Sequence, residues 1–258
     1  MIHAGLALAR RIESAEAANA VACNPHPRGE TTLEIGGGWA IFAGAESPLT
    51  HALGLGLYGP VAGAEIGRLE SFFRCRGARV TIDLCPLADP GFLRDLSERG
   101  YRPVEFNNVL MKPLSGAAAV PAPRVRRATA QEGDLWSHIV GRGFFEQAEL
   151  TTDEMDVGRA IFSVPGAVCY LASAETGEIA GGAAVTLHDG LALLFADSVI
   201  ASYRRQGLHR ELITARLNEA LALGCDLAVA STLPGSVSQR NYERLGFQVV
   251  YTKVTLVG

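Results

Sequence analysis

The chain has 258 residues, of which 48% are hydrophobic and 19% are charged, so it is long enough to bury a sizeable core in one or two domains. Its net charge of −4 argues against a broad basic surface for DNA or RNA, and no nucleic-acid partner is expected. The five cysteines form no CxxC pair and no cysteine and histidine cluster at zinc spacing, which predicts reduced thiols and no metal site.

The N-terminal stretch "MIHAGLALARRIESAEAANAVA" reaches arginines after only a handful of apolar residues. No later apolar run has the roughly 20 residues that a membrane span needs. The sequence therefore predicts a cytoplasmic protein with no membrane partner.

A change of composition divides the chain near its middle. In residues 115–123, small residues and prolines interrupt both helical and strand patterns. We predict a first domain over residues 1–114, a linker over 115–123 and a second domain over 124–258.

The first half contains "GLGLYG" (54–59), which matches the dinucleotide fingerprint GxGxxG. A lone match of this kind is frequently accidental, and Pro48 interrupts the segment before it. A nicotinamide-dependent reductase is the alternative that this motif leaves open.

The second half reads as a regular series of elements. "RVRRAT" and "VCYLASA" are predicted strands on either side of two helices, "QEGDLWSHIVGRGF" and "TTDEMDVGRAIF". Two apolar stretches then flank His188, Asp189 and Gly190, which indicates a hairpin because Asp-Gly accepts the dihedrals of a tight turn. A helix ending at Gly224 follows, and then the strand "DLAVAS", the helix "SVSQRNYERL" and the strand "FQVVYTKVTLV".

The segment "SYRRQGLHREL" (202–212) joins the hairpin to the helix. A helix start presents backbone N–H groups without intrahelical partners, and the helix dipole adds partial positive charge there. Gly207 allows an anion to approach the backbone, while arginine and glutamine side chains add donors suited to phosphate oxygens. The segment predicts a pyrophosphate site, and a solvated helix start is its alternative.

The ends of the two halves resemble each other. Each has a strand, a proline-containing loop, a helix, a Gly-aromatic pair and a strand, with Gly100-Tyr101 corresponding to Gly246-Phe247. This similarity indicates an internal repeat, against the alternative of two ordinary strand-helix-strand units that are alike by chance.

The string "SVIASYRRQGLH", followed by an amphipathic helix, a short strand and "NYERLGF", resembles the GNAT acetyltransferase superfamily over roughly residues 124–258. The acyl-CoA signature of that family is Gln or Arg, any two residues, Gly, any residue, and Gly or Ala. The resemblance implies a mixed α/β fold of two tandem GNAT-like domains, each a mostly antiparallel mixed sheet flanked by helices. The corresponding loop of the first domain, "YGPVAGAEIG", has no arginine or glutamine, so that copy is expected to bind no coenzyme A.

The resemblance also implies an activity, the transfer of an acetyl group from acetyl-CoA to a primary amine by direct attack. A backbone N–H near Val199 would hold the oxyanion, Tyr242 would protonate the departing thiolate, and Asp197 is a candidate base or orders a water that is one. Tyr242 has packing on the sheet as its alternative role. The cofactor-binding residues implied are Val199, Ile200, Arg204, Arg205, Gln206, Gly207, Leu208, His209, Ser238 and Asn241.

Three residues depart from the family pattern, and the mildest change is Ala201, which stands where many members have proline. His209 stands where the family has Gly or Ala, so that its side chain would meet the phosphates or donate to them. Gly235 stands where members commonly carry an asparagine that contacts the pantetheine arm, and Ser238 or Asn241 would replace that contact. A non-catalytic acyl-CoA sensor or interaction protein is therefore the alternative function, and a homodimer is left open.

Overall fold

A computed structural model describes residues 4–24, 30–116 and 118–258 of the chain. Residues 1–3 of the N-terminal stretch and residue 117 of the predicted linker lie outside this range. The chain divides into two compact units, one of Met1–Val109 with Val249–Gly258 and one of Leu110–Gln248. Both have a mixed α/β architecture, as predicted.

The first unit begins with a helix and a short antiparallel meander. Its elements in chain order are α1 (Leu6–Ala22), β1 (Thr32–Ile35), β2 (Gly38–Ile41), β3 (His51–Leu53), α2 (Gly63–Arg74), β4 (Thr81–Leu84) and α3 (Pro90–Glu98). Strands β1, β2 and β3 pair antiparallel in sequence, and β3 pairs parallel with β4 across α2. The next strand, β5 (Arg102–Pro113), runs across the division between the units.

The second unit repeats this order with longer strands. It contains β6 (Val125–Arg127), α4 (Gly133–Phe145), α5 (Thr152–Phe162), β7 (Val168–Ser173), β8 (Ile179–His188), β9 (Leu191–Val199), α6 (Leu208–Ala222), β10 (Leu227–Thr232) and α7 (Val237–Arg244). Strands β6 to β9 pair antiparallel in sequence, and β9 pairs parallel with β10 across α6. The apolar core of this unit includes Leu194, Leu212 and Tyr242.

The last strand of the chain, β11 (Gln248–Val257), belongs to the first unit. It pairs antiparallel with β4, with Leu84 opposite Val254 and Ile82 opposite Leu256. Leu256 is buried in the core of the first unit because of this pairing. The compact units therefore do not follow the division at residues 114 and 124, which remains a prediction about repeats along the chain. Within the predicted linker, Val120 is bound to Asn218 of α6 through its N–H at 3.0 Å and its carbonyl at 2.7 Å.

The two segments of the predicted repeat have the same local structure. Strand β4, helix α3 and strand β5 follow one another as β10, α7 and β11 do. Helices α3 and α7 also end alike, because Gly100 and Gly246 have φ of 86° and 88°. The next residues, Tyr101 and Phe247, each donate their N–H to a carbonyl five residues back, at 3.1 and 3.2 Å.

A bulge interrupts β9 close to its end. The register passes from Gly182 opposite Ser198 to Ala184 opposite Phe195, so Ala196 and Asp197 together face one residue of β8. Ala196 has a φ of 52°, which is uncommon for a residue other than glycine. The bulge turns the last residues of β9 relative to the strands on either side.

Candidate active site

The carboxyl ends of β9 and β10 separate from each other. Their paired residues run from Leu191 and Leu227 to Leu193 and Val229 and extend no further in this described part of the chain. On the other edge of β9, the N–H of Ile200 donates to the Ala180 carbonyl at 2.9 Å. Because donors alternate between the two edges of a strand, the N–H of Val199 points to the edge that β10 has left. The end of β9 is thus splayed from β10, and the N–H of Val199 faces the gap between the two strands.

The loop after β9 forms a row of free donors. Gly207 has a φ of 83° and caps α6, and the N–H groups of residues 205–210 donate to no group in the described part of the chain. The first of them, Arg205, has a φ of 70° and an exposed side chain. Consecutive free N–H groups at a helix start bind phosphates well, so the loop has the geometry of an anion site.

Arg124 holds this loop, and the sequence pattern did not indicate it. Its Nη2 donates to the Gln206 carbonyl at 2.7 Å, and its Nε donates to the Glu211 carboxylate at 2.8 Å. The Arg124 side chain is 25% exposed and that of Glu211 20%, so water screens the pair only in part. The guanidinium therefore fixes both the loop and the first turn of α6.

Arg204, predicted to bind the pyrophosphate, has other partners. Its Nε donates to the Val199 carbonyl at 3.1 Å, its Nη2 to the Gly143 carbonyl at 3.0 Å, and its Nη1 to the Glu146 carboxylate at 2.6 Å. All three nitrogens are thus occupied by the end of β9 and the C-terminal turn of α4. The geometry makes Arg204 a clamp between these elements, and its binding of the pyrophosphate remains a prediction.

His209 also points away from the predicted phosphate site. Its Nδ1 lies 2.9 Å from the Asn241 amide nitrogen, and its Nε2 contacts the Asp197 carboxylate. Because the amide nitrogen can only donate, Nδ1 accepts and Nε2 carries the proton towards Asp197. Neither nitrogen is left for a phosphate. The amide nitrogen of Asn241 thus donates to His209, and Ser238 is partly exposed on α7. Their contacts with pantetheine remain predictions.

Asp197 lies at the centre of a buried polar network. Its Oδ2 accepts from the Tyr242 hydroxyl at 3.0 Å, and Arg216 lies 3.3 Å from both of its oxygens. Burial alone would raise the pKa of Asp197, but Arg216 and His209 hold that pKa well below its usual range. A carboxylate with a depressed pKa accepts protons poorly. Asp197, predicted as a base, is therefore better placed to position the groups around it.

Tyr242 is 1% exposed, and its hydroxyl accepts a hydrogen bond from Arg216 at 3.3 Å while donating to Asp197. Burial raises the pKa of this phenol, Arg216 opposes the rise, and the negative charge of Asp197 adds to it. The phenol therefore keeps its proton through the neutral range. The residue packs in the core, as its alternative role requires, and it also joins the network.

Arg216 is fully buried, and the sequence analysis missed it because it stands among the apolar residues of α6. Its Nε donates to the Leu212 carbonyl at 3.0 Å. Its Nη1 donates to the carbonyls of Ala184 at 3.3 Å and Phe195 at 3.4 Å, which flank the bulge in β9. Arg216 thus connects the bulge to Asp197 and Tyr242.

Comparison with known proteins agrees with this geometry. Residues 136–247 match the model of the acetyltransferase (GNAT) family. No curated protein sequence matches the chain. In the part that the structure describes, no helix is both long and apolar enough to cross a membrane, and no group of side chains is arranged to hold a metal ion.

Solved structures share the fold over nearly the whole chain. A GCN5-related N-acetyltransferase from Kribbella flavida is 22% identical over 97% of this chain and 95% of its own, with a TM-score of 0.70. A tandem GNAT protein from the clavulanic acid biosynthesis pathway is 17% identical over 98% and 94%, with a TM-score of 0.61. A putative GNAT-family acetyltransferase from Novosphingobium aromaticivorans is 17% identical over 93% and 95%, with a TM-score of 0.58.

The predicted resemblance is confirmed, because residues 136–247 match the acetyltransferase (GNAT) family. The chain as a whole has the fold of GCN5-related N-acetyltransferases. The family that residues 136–247 match is one of acyltransferases.

Proposed function

We propose that the second unit transfers an acetyl group from acetyl-CoA to a primary amine by direct attack. One observation carries this proposal: the unpartnered N–H groups of residues 205–210 directly follow a strand whose last residues have left their neighbour. The loop would hold the pyrophosphate. The gap between β9 and β10 would take the pantetheine arm, which would place the thioester near the N–H of Val199.

The residues of the network have distinct roles in this proposal. As the amine attacks, the developing oxyanion is stabilised by the Val199 N–H. The nitrogen of the tetrahedral intermediate loses a proton to water, the intermediate collapses, and the carbon–sulfur bond breaks. Tyr242 protonates the departing thiolate and regains a proton from water after the product leaves. For this step the Tyr242 hydroxyl would donate its hydrogen bond to the anionic sulfur instead of to the Asp197 carboxylate. Arg216 remains to neutralise the charge of Asp197 during that exchange, and His209 remains hydrogen-bonded to the carboxylate.

Asp197 is poorly suited to deprotonate the amine, because its pKa is depressed. A free alkylamine has a pKa of about 10.4, so only a small fraction is neutral at pH 7. We expect turnover to rise with pH as that fraction grows. The N–H groups of the loop and of Val199 do not titrate in this range.

The proposal is tested by mixing the full chain with acetyl-CoA and a panel of primary amines and following the release of free thiol. Thiol release that depends on one of the amines supports the acyl transfer. Acetyl-CoA binding without release by any amine of a broad panel would favour the acyl-CoA sensor instead.

The Tyr242→Phe variant tests the proposed acid. The substitution keeps the buried ring and removes the proton donor, so kcat and kcat/KM should both fall by roughly 100-fold while acetyl-CoA affinity barely changes. Tyr251→Phe, which removes a buried hydroxyl from the first unit, is the matched control and should turn over like the parent. A Tyr242→Phe variant with parental kcat would assign Tyr242 to packing alone.

A further inference from the structure

A small cleft of about 100 Å³ lies within the first unit. Helix α1 forms one wall, the turn between β1 and β2 forms another, and the glycine-rich loop after β3 closes the third side. That loop contains the GLGLYG motif, and it stands where the second unit carries its anion site. The cleft takes no part in the proposed acyl transfer.

A buried carboxylate with one unused oxygen lines this cleft. Glu13 of α1 is 1% exposed, and its Oε1 accepts from the Tyr251 hydroxyl at 2.8 Å and lies 3.0 Å from the Lys253 ammonium. Its Oε2 accepts no hydrogen bond from any residue that the structure describes. A buried acceptor without a donor is costly, so a ligand that supplies an N–H to Oε2 is favoured.

The charges around Glu13 favour a cationic donor. Lys253 contacts both Glu13 and Glu16 of α1, so one buried ammonium faces two carboxylates. Burial raises the pKa of Glu13 to about 7 against the opposing effect of Lys253, with Glu16 adding to the rise. A second positive charge beside Oε2 would stabilise the ionised form of Glu13.

Aromatic side chains and small residues line the cleft. Tyr58 is 57% exposed, and its ring is held by Arg10, whose guanidinium carbon lies 4.8 Å from the ring centroid. The Tyr58 hydroxyl also lies 3.1 Å from the hydroxyl of Ser14. Trp39 of β2 also lines the cleft and is partly exposed, and Ala18 lies exposed on α1. An aromatic wall next to a carboxylate is a frequent arrangement for ammonium recognition.

We propose that this cleft binds the primary ammonium group of a small organic amine, with Glu13 Oε2 accepting its hydrogen bond and Trp39 covering its alkyl part. A free alkylamine and a lysine side chain share this chemistry. The test therefore uses both, as butylamine and Nα-acetyl-lysinamide, with butanol as the neutral probe of similar size.

Tryptophan fluorescence of the full chain reports the binding. Of the two tryptophans, Trp136 is fully buried and donates to the Tyr170 carbonyl at 3.1 Å, so a ligand in the cleft perturbs Trp39. We expect a saturable change with butylamine and none with butanol. Saturation with Nα-acetyl-lysinamide as well would extend the class to lysine side chains. Equal responses to butylamine and butanol, or no saturation with either amine, would overturn the proposal.

Variants place the binding in the cleft. Glu13→Gln should weaken the affinity for butylamine at least tenfold, because it removes the charge that faces the ammonium. Glu34→Gln, at an exposed carboxylate of β1, is the matched control and should bind like the parent.

A second pair of variants leaves the buried charges unchanged and tests the proposal even if Glu13→Gln fails to fold. Ala18→Phe should block the mouth of the cleft and abolish the fluorescence change. Ala64→Phe, at an exposed position of α2, should leave it unchanged. Parental binding by a folded Ala18→Phe variant would contradict the proposed site.

Discussion

Arg216, a residue of α6, has no exposed surface, and each of the three nitrogens of its side chain donates a hydrogen bond. A buried guanidinium is costly to desolvate, and Asp197 together with the carbonyls around the bulge offsets that cost. Removing the cation would leave a buried carboxylate without its ion pair, and it would leave the carbonyls of Ala184 and Phe195 without this donor. The residue therefore supports both the fold and the geometry of the site.

Arg216→Met should lower the free energy of unfolding by roughly 3 to 5 kcal/mol, because it leaves Asp197 buried without a cationic partner. Arg216→Lys keeps the charge but reaches fewer acceptors, so its loss should be smaller. Urea unfolding followed by circular dichroism measures both values. Arg240→Met, at an exposed position of α7, is the control and should change the free energy by less than about 0.5 kcal/mol. An Arg216→Met variant as stable as this control would contradict the role of Arg216.

The side-chain partners of the loop could not be predicted from sequence. The motif 204–209 located the loop and the helix start after Gly207 correctly, because the residues close to a helix terminus determine where the helix begins. It did not show that Arg204 reaches Gly143, 61 positions away, or that His209 turns towards Asp197 and Asn241. Those partners depend on how α4, β9 and α7 pack, and no local pattern encodes that packing.

At the scale of elements, α4 packs closely against the end of β9. A Cβ at Gly143 would lie 2.9 Å from the carbonyl carbon of Val199 and would meet the Ser198 hydroxyl. Only glycine allows this approach, which places the carbonyl of Gly143 within reach of the Arg204 clamp. The same contact fixes the part of β9 that carries the Val199 N–H.

Gly143→Ala should therefore destabilise the protein by roughly 1 to 3 kcal/mol, since α4 must move away from the Val199 backbone. Gly67→Ala provides a matched change within α2, where a Cβ meets nothing within 4 Å, and it should be neutral or stabilising by up to about 1 kcal/mol. Thermal unfolding of both variants measures the difference. Equal stability of the two variants would show that the packing of α4 tolerates a side chain.

The regular elements of the second unit were predictable, because their patterns are local. The hairpin turn falls at Asp189 and Gly190, which have φ of 47° and 78°, and Gly224 ends α6 with a φ of 74°. The bulge at Ala196 was not predictable, since its stabilisation comes from Arg216, a residue of another element. The pairing of β11 with β4 was not predictable either, because an alternating strand pattern does not specify its partner.

At the scale of the whole molecule, the end of the chain completes the first unit. Asp83 of β4 accepts a hydrogen bond from Thr255 of β11 at 2.7 Å, and its other carboxylate oxygen lies 2.7 Å from the His51 imidazole of β3. Burial would raise the pKa of Asp83, but His51 lowers it from 3.8 to about 2. One carboxylate thus links three neighbouring strands.

The depressed pKa gives stability a defined pH dependence. Ionised Asp83 stabilises the folded state above pH 3.8, and this contribution, about 2 kcal/mol, is lost as the pH falls towards 2. Asp83→Asn should be less stable at neutral pH and should lose less stability between pH 4 and pH 2 than the parent. Urea unfolding at a series of pH values measures both effects, with the exposed Asp153→Asn variant as control. Parallel curves for Asp83→Asn and the parent would contradict the stabilising role of the carboxylate.

The central claim is that the second unit alone provides the acyl-CoA site of this chain. Isothermal titration calorimetry with acetyl-CoA tests it most directly, on the parent and on two variants at positive-φ glycines. Gly207 caps the anion loop, and Gly59 lies in the glycine-rich loop of the first unit. We predict one molecule of acetyl-CoA per chain for the parent and for Gly59→Val, and no binding by Gly207→Val. Two equivalent sites per chain, or parental affinity in Gly207→Val, would contradict the claim.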